Sequence, residues 1–216
     1  MLTRRTFARA GLATIAAAAA CKRPGEDDSE PAVTPSEDLM REHGVLARLM
    51  LVLEASAPHI DDSQSAREAI AHAAKLVRDF VENYHEALEE QHLFPRFQRN
   101  NVHAELVDTL VVQHRAGRTL IDKLLGPFDD HAQIRQAIDA FLRMYRPHAA
   151  REDTVLFVDL PRVATGSELA ELGERFEKEE RARFGPHGFL GIVGQVMELE
   201  RSIGIDDLER FTPGQT

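Results

Sequence analysis

The chain has 216 residues, with 26 Lys and Arg against 36 Asp and Glu, and a formal net charge of −10 at pH 7. That length suggests one domain with some chain to spare. The acidic balance argues against nucleic acid or another phosphate-rich partner, which calls for basic patches. An ordinary apolar content is enough for a core, and a single cysteine, Cys21, excludes an internal disulfide.

Residues 1–21 read as an export address. Thr3-Arg4-Arg5-Thr6-Phe7 resembles a twin-arginine signal. The Ala-rich run that follows has the length of a signal core and falls short of the ~20 apolar residues of a membrane span. It ends Ala18-Ala19-Ala20-Cys21, which resembles a lipoprotein cleavage box, although Ala18 stands where Leu is usual. The expectation is twin-arginine export to the periplasm or cell envelope, with a lipid on Cys21 tethering the chain to a membrane. Residues 22–35 are polar and Pro-containing and read as a disordered tether.

Apolar residues at helical spacing predict four helices over about 36–55, 62–95, 102–125 and 131–157. Ser36 is the expected cap of the first, and Pro95 the expected end of the second. Gly126-Pro127 closes the third. Pro147 predicts a kink in the fourth, because proline removes a backbone donor and crowds the carbonyl four residues back. No credible strand is visible. Short connections between long helices predict an all-α, up-down-up-down four-helix bundle over residues 36–160. Residues 161–216 form a C-terminal extension with two more helices, over about 167–185 and 186–203. The charged run 171–183 is expected on the outside.

The chemistry lies in a motif that occurs twice. Residues 85–94 and 148–157 share His85/His148, Ala87/Ala150, Glu89/Glu152, an acid at Glu90/Asp153, and Leu93-Phe94/Leu156-Phe157. Helix residues four apart share a face, so each copy aims an imidazole and a carboxylate at one point. One further histidine lies on the apolar stripe upstream of each copy, His43 and His114. Buried carboxylates without partners cost several kcal/mol or shift until neutral, and a metal ion removes that cost with ligands it normally takes. His43, His85, Glu89, His114, His148 and Glu152 are therefore the candidate metal ligands.

Glu42-His43-Gly44, His85-x3-Glu89 with Leu93-Phe94-Pro95, Gln113-His114, and His148-x3-Glu152 with Leu156-Phe157 resemble the hemerythrin-like, or HHE cation-binding, family. The resemblance implies a non-haem di-iron centre, with the four histidines as terminal ligands and Glu89 and Glu152 as bridges. Oxygen-carrying hemerythrins have a second histidine where this chain has Arg118. They also have a bridging Asp five residues after the last histidine, where Asp153 is the weaker candidate here. The His-x3-Glu spacing looks more like the branch that includes iron-centre repair proteins. Arg118 could hydrogen-bond a bound anion, pair with Glu152, or lie solvated at the surface. His92 reads more as a rim residue than as a support for the site, and Tyr84 and Tyr145 are possible hydrogen-bond donors near it. His59, His72, His103, His131 and His187 read as surface.

Three functions remain open. The first is a di-iron protein binding O2, NO or iron. The second is a di-iron enzyme (oxidase, peroxidase or NO reductase) or an iron-centre repair protein. The third is a zinc-bound or metal-free structural bundle. Imidazole suits several metals alike; iron comes from the resemblance. The first reading is favoured, since no additional acid, base or nucleophile is evident around the ligands.

Overall fold

The computed structural model describes residues 33–214. The expected signal segment, Cys21 and all but the last residues of the tether lie outside the described residues. Among the described residues there is no strand, and no helix is long and apolar enough to cross a membrane.

Helix α1 (Pro35–Ser56) has its cap two residues ahead of the expected one. Thr34 is the cap: its side chain accepts from the Glu37 amide at 3.2 Å, and Glu37 Oε2 accepts from the Thr34 amide at 2.9 Å. This reciprocal pair satisfies two amides that the first turn leaves free, and such caps contribute about 1 kcal/mol. Pro35 suits the first turn, where no amide donor is needed. Ser36, freed from capping, donates to the Phe157 carbonyl at 3.0 Å and ties the start of α1 to the second copy of the motif.

The second rod is a succession of α2 (Gln64–Leu76), a π-helical stretch (Val77–His85), α3 (Glu86–Leu88), a π turn (Glu89–Leu93) and α4 (Phe94–Arg99). It runs past Pro95, contrary to the sequence expectation. The Phe94 amide reaches back five residues to the Glu89 carbonyl. Pro95 therefore enters a widened turn, where a missing donor and a bulky ring are tolerated.

Helix α5 (Ala104–Leu125) follows His103, whose left-handed φ of 51° turns the chain. Helix α6 (His131–Arg151) is capped by the Asp130 side chain, which accepts from the Gln133 amide at 3.0 Å. It continues through Pro147 without interruption. Its irregularity comes later, in a π turn at Glu152–Leu156 and a 3-10 segment at Phe157–Arg162. The extension forms α7 (Gly166–Phe184) and α8 (Gly188–Ser202).

Helix α1 packs on α2 and α6, and α5 packs on α6 and α2, which closes a ring of four. Leu39, Leu46, Leu53, Ile70, Val77, Val107, Ile121, Ile138 and Phe141 fill its centre. Helices α7 and α8 lie against α1, and α8 also touches α2. As expected of its charge, α7 is mostly exposed and buries only Leu172 and Phe176. Burying each of these stabilises the contact by roughly 1.5–3 kcal/mol.

Candidate metal centre

The six predicted residues converge in the core. Glu89, Glu152 and His114 are fully buried, and His43, His85 and His148 nearly so. The histidines form two pairs: His43 Nε2 lies 3.0 Å from His85 Nε2, and His114 Nε2 lies 3.2 Å from His148 Nε2. Each carboxylate lies between the pairs. Glu89 Oε2 is 3.7 Å from His85 Nε2 and 3.5 Å from His114 Nε2. Glu152 Oε2 is 3.0 Å from His148 Nε2 and 3.4 Å from His43 Nε2.

The outer nitrogens fix what the inner ones can do. His43 Nδ1 meets Asp153 Oδ1 at 2.7 Å, and His85 Nδ1 meets Glu42 Oε2 at 2.7 Å. His114 Nδ1 meets Glu90 Oε1 at 2.9 Å, and His148 Nδ1 meets Gln113 Oε1 at 2.8 Å. All four partners are acceptors, so each neutral ring donates Nδ1–H outward and turns the Nε2 lone pair inward. Such outer contacts orient metal-bound histidines and raise their basicity. The cluster is thus four lone pairs and two carboxylates. None of the four Glu89 and Glu152 oxygens has a hydrogen-bond partner.

That donor set fits cations. Two nitrogens about 2.1 Å from one ion lie about 3.0 Å apart at octahedral angles and about 3.4 Å apart at tetrahedral ones. The observed pairs, 3.0 and 3.2 Å, fall in that interval. Protons are the other way to neutralise the cluster. Burial opposes a charged His43, yet the hydrogen bond to Asp153 and the nearby Glu152 carboxylate hold its pKa up at about 9. Burial and the charge of Glu152 push the Glu89 carboxyl well above its usual range. Burial acts on Glu152 as well, but His148 and His43 hold its carboxyl below that range. Burial and the charge on His43 push His85 well down. Two identical carboxylates driven in opposite directions are what like charges in one dry pocket produce.

The repeated motif has a structural meaning beyond the ligand pair. Each copy widens into a π turn at its carboxylate, Glu89–Leu93 and Glu152–Leu156. Each then builds a socket for the lone histidine of the other half. Around His114 stand Glu89, Glu90 and Phe94, whose ring stacks at 5.5 Å. Around His43 stand Glu152, Asp153 and Phe157, also stacked at 5.5 Å. The residue before each lone histidine, Glu42 or Gln113, holds the motif histidine of its own half.

Several weaker sequence expectations change. Asp153 is no bridge, because its carboxylate holds the outer nitrogen of His43 and is one-third exposed. Arg118 does not reach Glu152; it pairs with Glu86 at 2.8 Å and Glu90 at 2.7 Å. Glu90 is kept low, at about 2, by its hydrogen bonds to His114 and Arg118, against its burial. His92 lies outside the cluster, 3.5 Å from Glu179, in keeping with the rim position expected of it. Tyr145 donates to Glu86 Oε1 at 2.5 Å, not to a ligand. His59, His72 and His187 are exposed, as expected, whereas His103 and His131 are half-buried against Asp159 and Asp61. Sequence reasoning missed Glu42, Glu86 and Gln113. The one available signal was that both lone histidines follow a side chain able to accept.

The hemerythrin HHE cation-binding domain model matches residues 34–160. Uncharacterized proteins of Mycobacterium bovis and Mycobacterium tuberculosis strain H37Rv are 40% identical over 195 residues, covering 86% of this chain and 76% of theirs. No solved structure matches the chain. The match spans most of the described chain and takes in every residue of the buried cluster: the protein belongs to the hemerythrin HHE cation-binding domain family.

Proposed function

We propose that this chain is an exported non-haem di-iron protein that binds a small ligand, O2 or NO, in an up-down-up-down bundle. One observation carries the reading: a fully buried cluster whose inward-facing atoms are all acceptors. His43 and His85 would hold one ion and His114 and His148 the other, with Glu89 and Glu152 shared between them. Iron would supply reversible redox change and coordination positions open to a small ligand. Two imidazoles and two shared carboxylates leave a six-coordinate ion short of its full set.

The chain's own residues do the rest. Asp153, Glu42, Glu90 and Gln113 hold the tautomers and ring orientations. Phe94 and Phe157 exclude water from the two lone histidines. Arg118 keeps Glu90 ionised and so keeps His114 oriented. It stands where oxygen-carrying relatives would place another imidazole, which favours a more open site. Every inward polar group belongs to the cluster itself, which favours binding over catalysis on an organic substrate.

The reading extends to location. Arg4-Arg5 and Cys21 support twin-arginine export and lipid tethering at the cell envelope. That route carries folded domains and allows metal loading before export. The test is to load the chain with Fe2+ without oxygen and follow its optical and EPR spectra on adding O2 or NO. Reversible spectral change supports binding. Sustained turnover of peroxide or NO would replace this reading with the enzymatic one, and failure to retain iron would sink both.

A further inference from the structure

A second group of ligand atoms lies beside the His/Glu cluster. Asp38, Glu42 and Glu180 each bring a carboxylate oxygen to within 4.8 Å of the others. Three acids alone would mean little. Glu42, however, is only 1% exposed, and its Oε1 has no hydrogen-bond partner. Its other oxygen, Oε2, is taken by His85 Nδ1 at 2.7 Å. The buried Tyr84 hydroxyl lies beside Glu42 as a donor, but it makes no hydrogen bond of normal geometry. A buried carboxylate oxygen that faces two further acids and makes no hydrogen bond of normal geometry is costly unless a cation or proton is there.

The third acid is placed deliberately. Glu180 belongs to a run of mostly solvated charges on α7, yet its side chain turns inward. Its Oε1 accepts from the Phe189 amide at 3.0 Å. It passes so close to Gly188 that a Cβ there would lie 1.9 Å from that oxygen, and Gly188 has a φ of +40°. The α7–α8 corner therefore requires glycine where Glu180 enters. Arg41 pairs with Asp38 at the rim, and its charge also acts on Glu180.

We propose that Asp38, Glu42 and Glu180 form a third cation site, distinct from the His/Glu cluster, that takes one hard divalent ion such as Mn2+ or Fe2+. Carboxylate oxygens without imidazole select hard ions, in contrast to the histidine-rich cluster. The two sites share Glu42, with Oε1 on the new ion and Oε2 on His85. An occupant pulls electron density from the carboxylate that supports His85, so the third site modulates the ion held by His43 and His85. That consequence rests on the di-metal reading; the site itself does not.

The probe is Mn2+, added to the full chain as purified, with free Mn2+ counted by EPR and tightly held metal by elemental analysis. One further Mn2+ per chain is expected. Glu180→Gln and Asp38→Asn should each weaken its binding at least tenfold while leaving the tightly held metal unchanged and the circular dichroism native. No uptake, or uptake unaltered in both variants, overturns the proposal, and a proton shared among the acids is then sufficient. Mn2+ uptake lost in Glu180→Gln, in a chain that holds no other metal, would keep this site and reject the di-metal reading.

Discussion

The two halves of the buried centre are built to one plan and supported differently. In each, a lone histidine and a His-x3-Glu pair converge, a π turn follows the carboxylate, and a Phe stacks across. The His43/His85 pair has a carboxylate on both outer nitrogens, Asp153 and Glu42. The His114/His148 pair has Glu90, which is shared with Arg118, and the neutral amide of Gln113. Carboxylates raise imidazole basicity more than an amide does. The first pair should therefore hold its ion more tightly, and the ion of the second pair should leave first. The asymmetry also runs through the surrounding core. The first copy carries buried Glu82 and Glu86, paired with Arg78 and Arg118, where the repeat places Tyr145 and Ala149 in the second.

The largest effects should come from the ligands themselves. His85→Ala and His148→Ala should each remove about one ion. Ligand occupancy at a hundred times Kd contributes about 2.7 kcal/mol, which for a domain of this size lowers Tm by roughly 5–10 °C. Thermal unfolding with and without chelator reads this directly; equal Tm in all forms would break the account. Next come the outer contacts. Glu42→Gln should weaken the tighter ion by about 10–100-fold, and Gln113→Glu should tighten the weaker one to a similar degree. Carrying both substitutions should reverse the order in which a chelator strips the ions. An unchanged order would show that the outer contacts do not set the difference.

A smaller effect tests the core of the second half. A Cβ on Gly117 would lie 2.2 Å from the Tyr145 hydroxyl, which Glu86 holds in place. Gly117→Ala should cost about 1–3 kcal/mol through overpacking, and Tyr145→Phe in the same chain should recover part of the loss. Additive losses would mean that the two residues do not meet. The smallest effect belongs to Glu82. Burial and the charge of Glu86 raise its pKa from 4.5 to about 7, against Arg78. The folded state then holds this proton more tightly than the unfolded one, so its contribution to stability falls as pH rises from about 4.5 to 7. Glu82→Gln should raise Tm by a few degrees at pH 8 and leave it nearly unchanged at pH 4.5, as followed by circular dichroism. A gain only at low pH would contradict the assignment.

These differences mark how far the sequence can be read. Apolar spacing located the long helices, and the doubled His-x3-Glu located the cluster, because burial and helical period are local properties of the chain. The π turns were not legible. They depend on which carbonyl accepts the amides of Phe94 and Phe157, and they let the second rod run past Pro95. Glu90 and Asp153 were visible as a shared acid, but their role was not. A residue one step past a ligand points elsewhere on the helix, and only the packed neighbour shows that it meets a histidine of the other half. Glu180 carried no signal at all, being one acid in a charged run until α8 folds back upon it.

The central claim is that Glu89 and Glu152, with the four histidines, hold two metal ions in the core. It is tested most directly by iron content per folded chain, comparing the native sequence with the Glu89→Ala/Glu152→Ala double variant after loading with Fe2+ and removal of free metal. The account predicts two irons per chain in the first and fewer than one in the second, with helical content retained. Native protein that keeps no iron, or a double variant that keeps both, would contradict it.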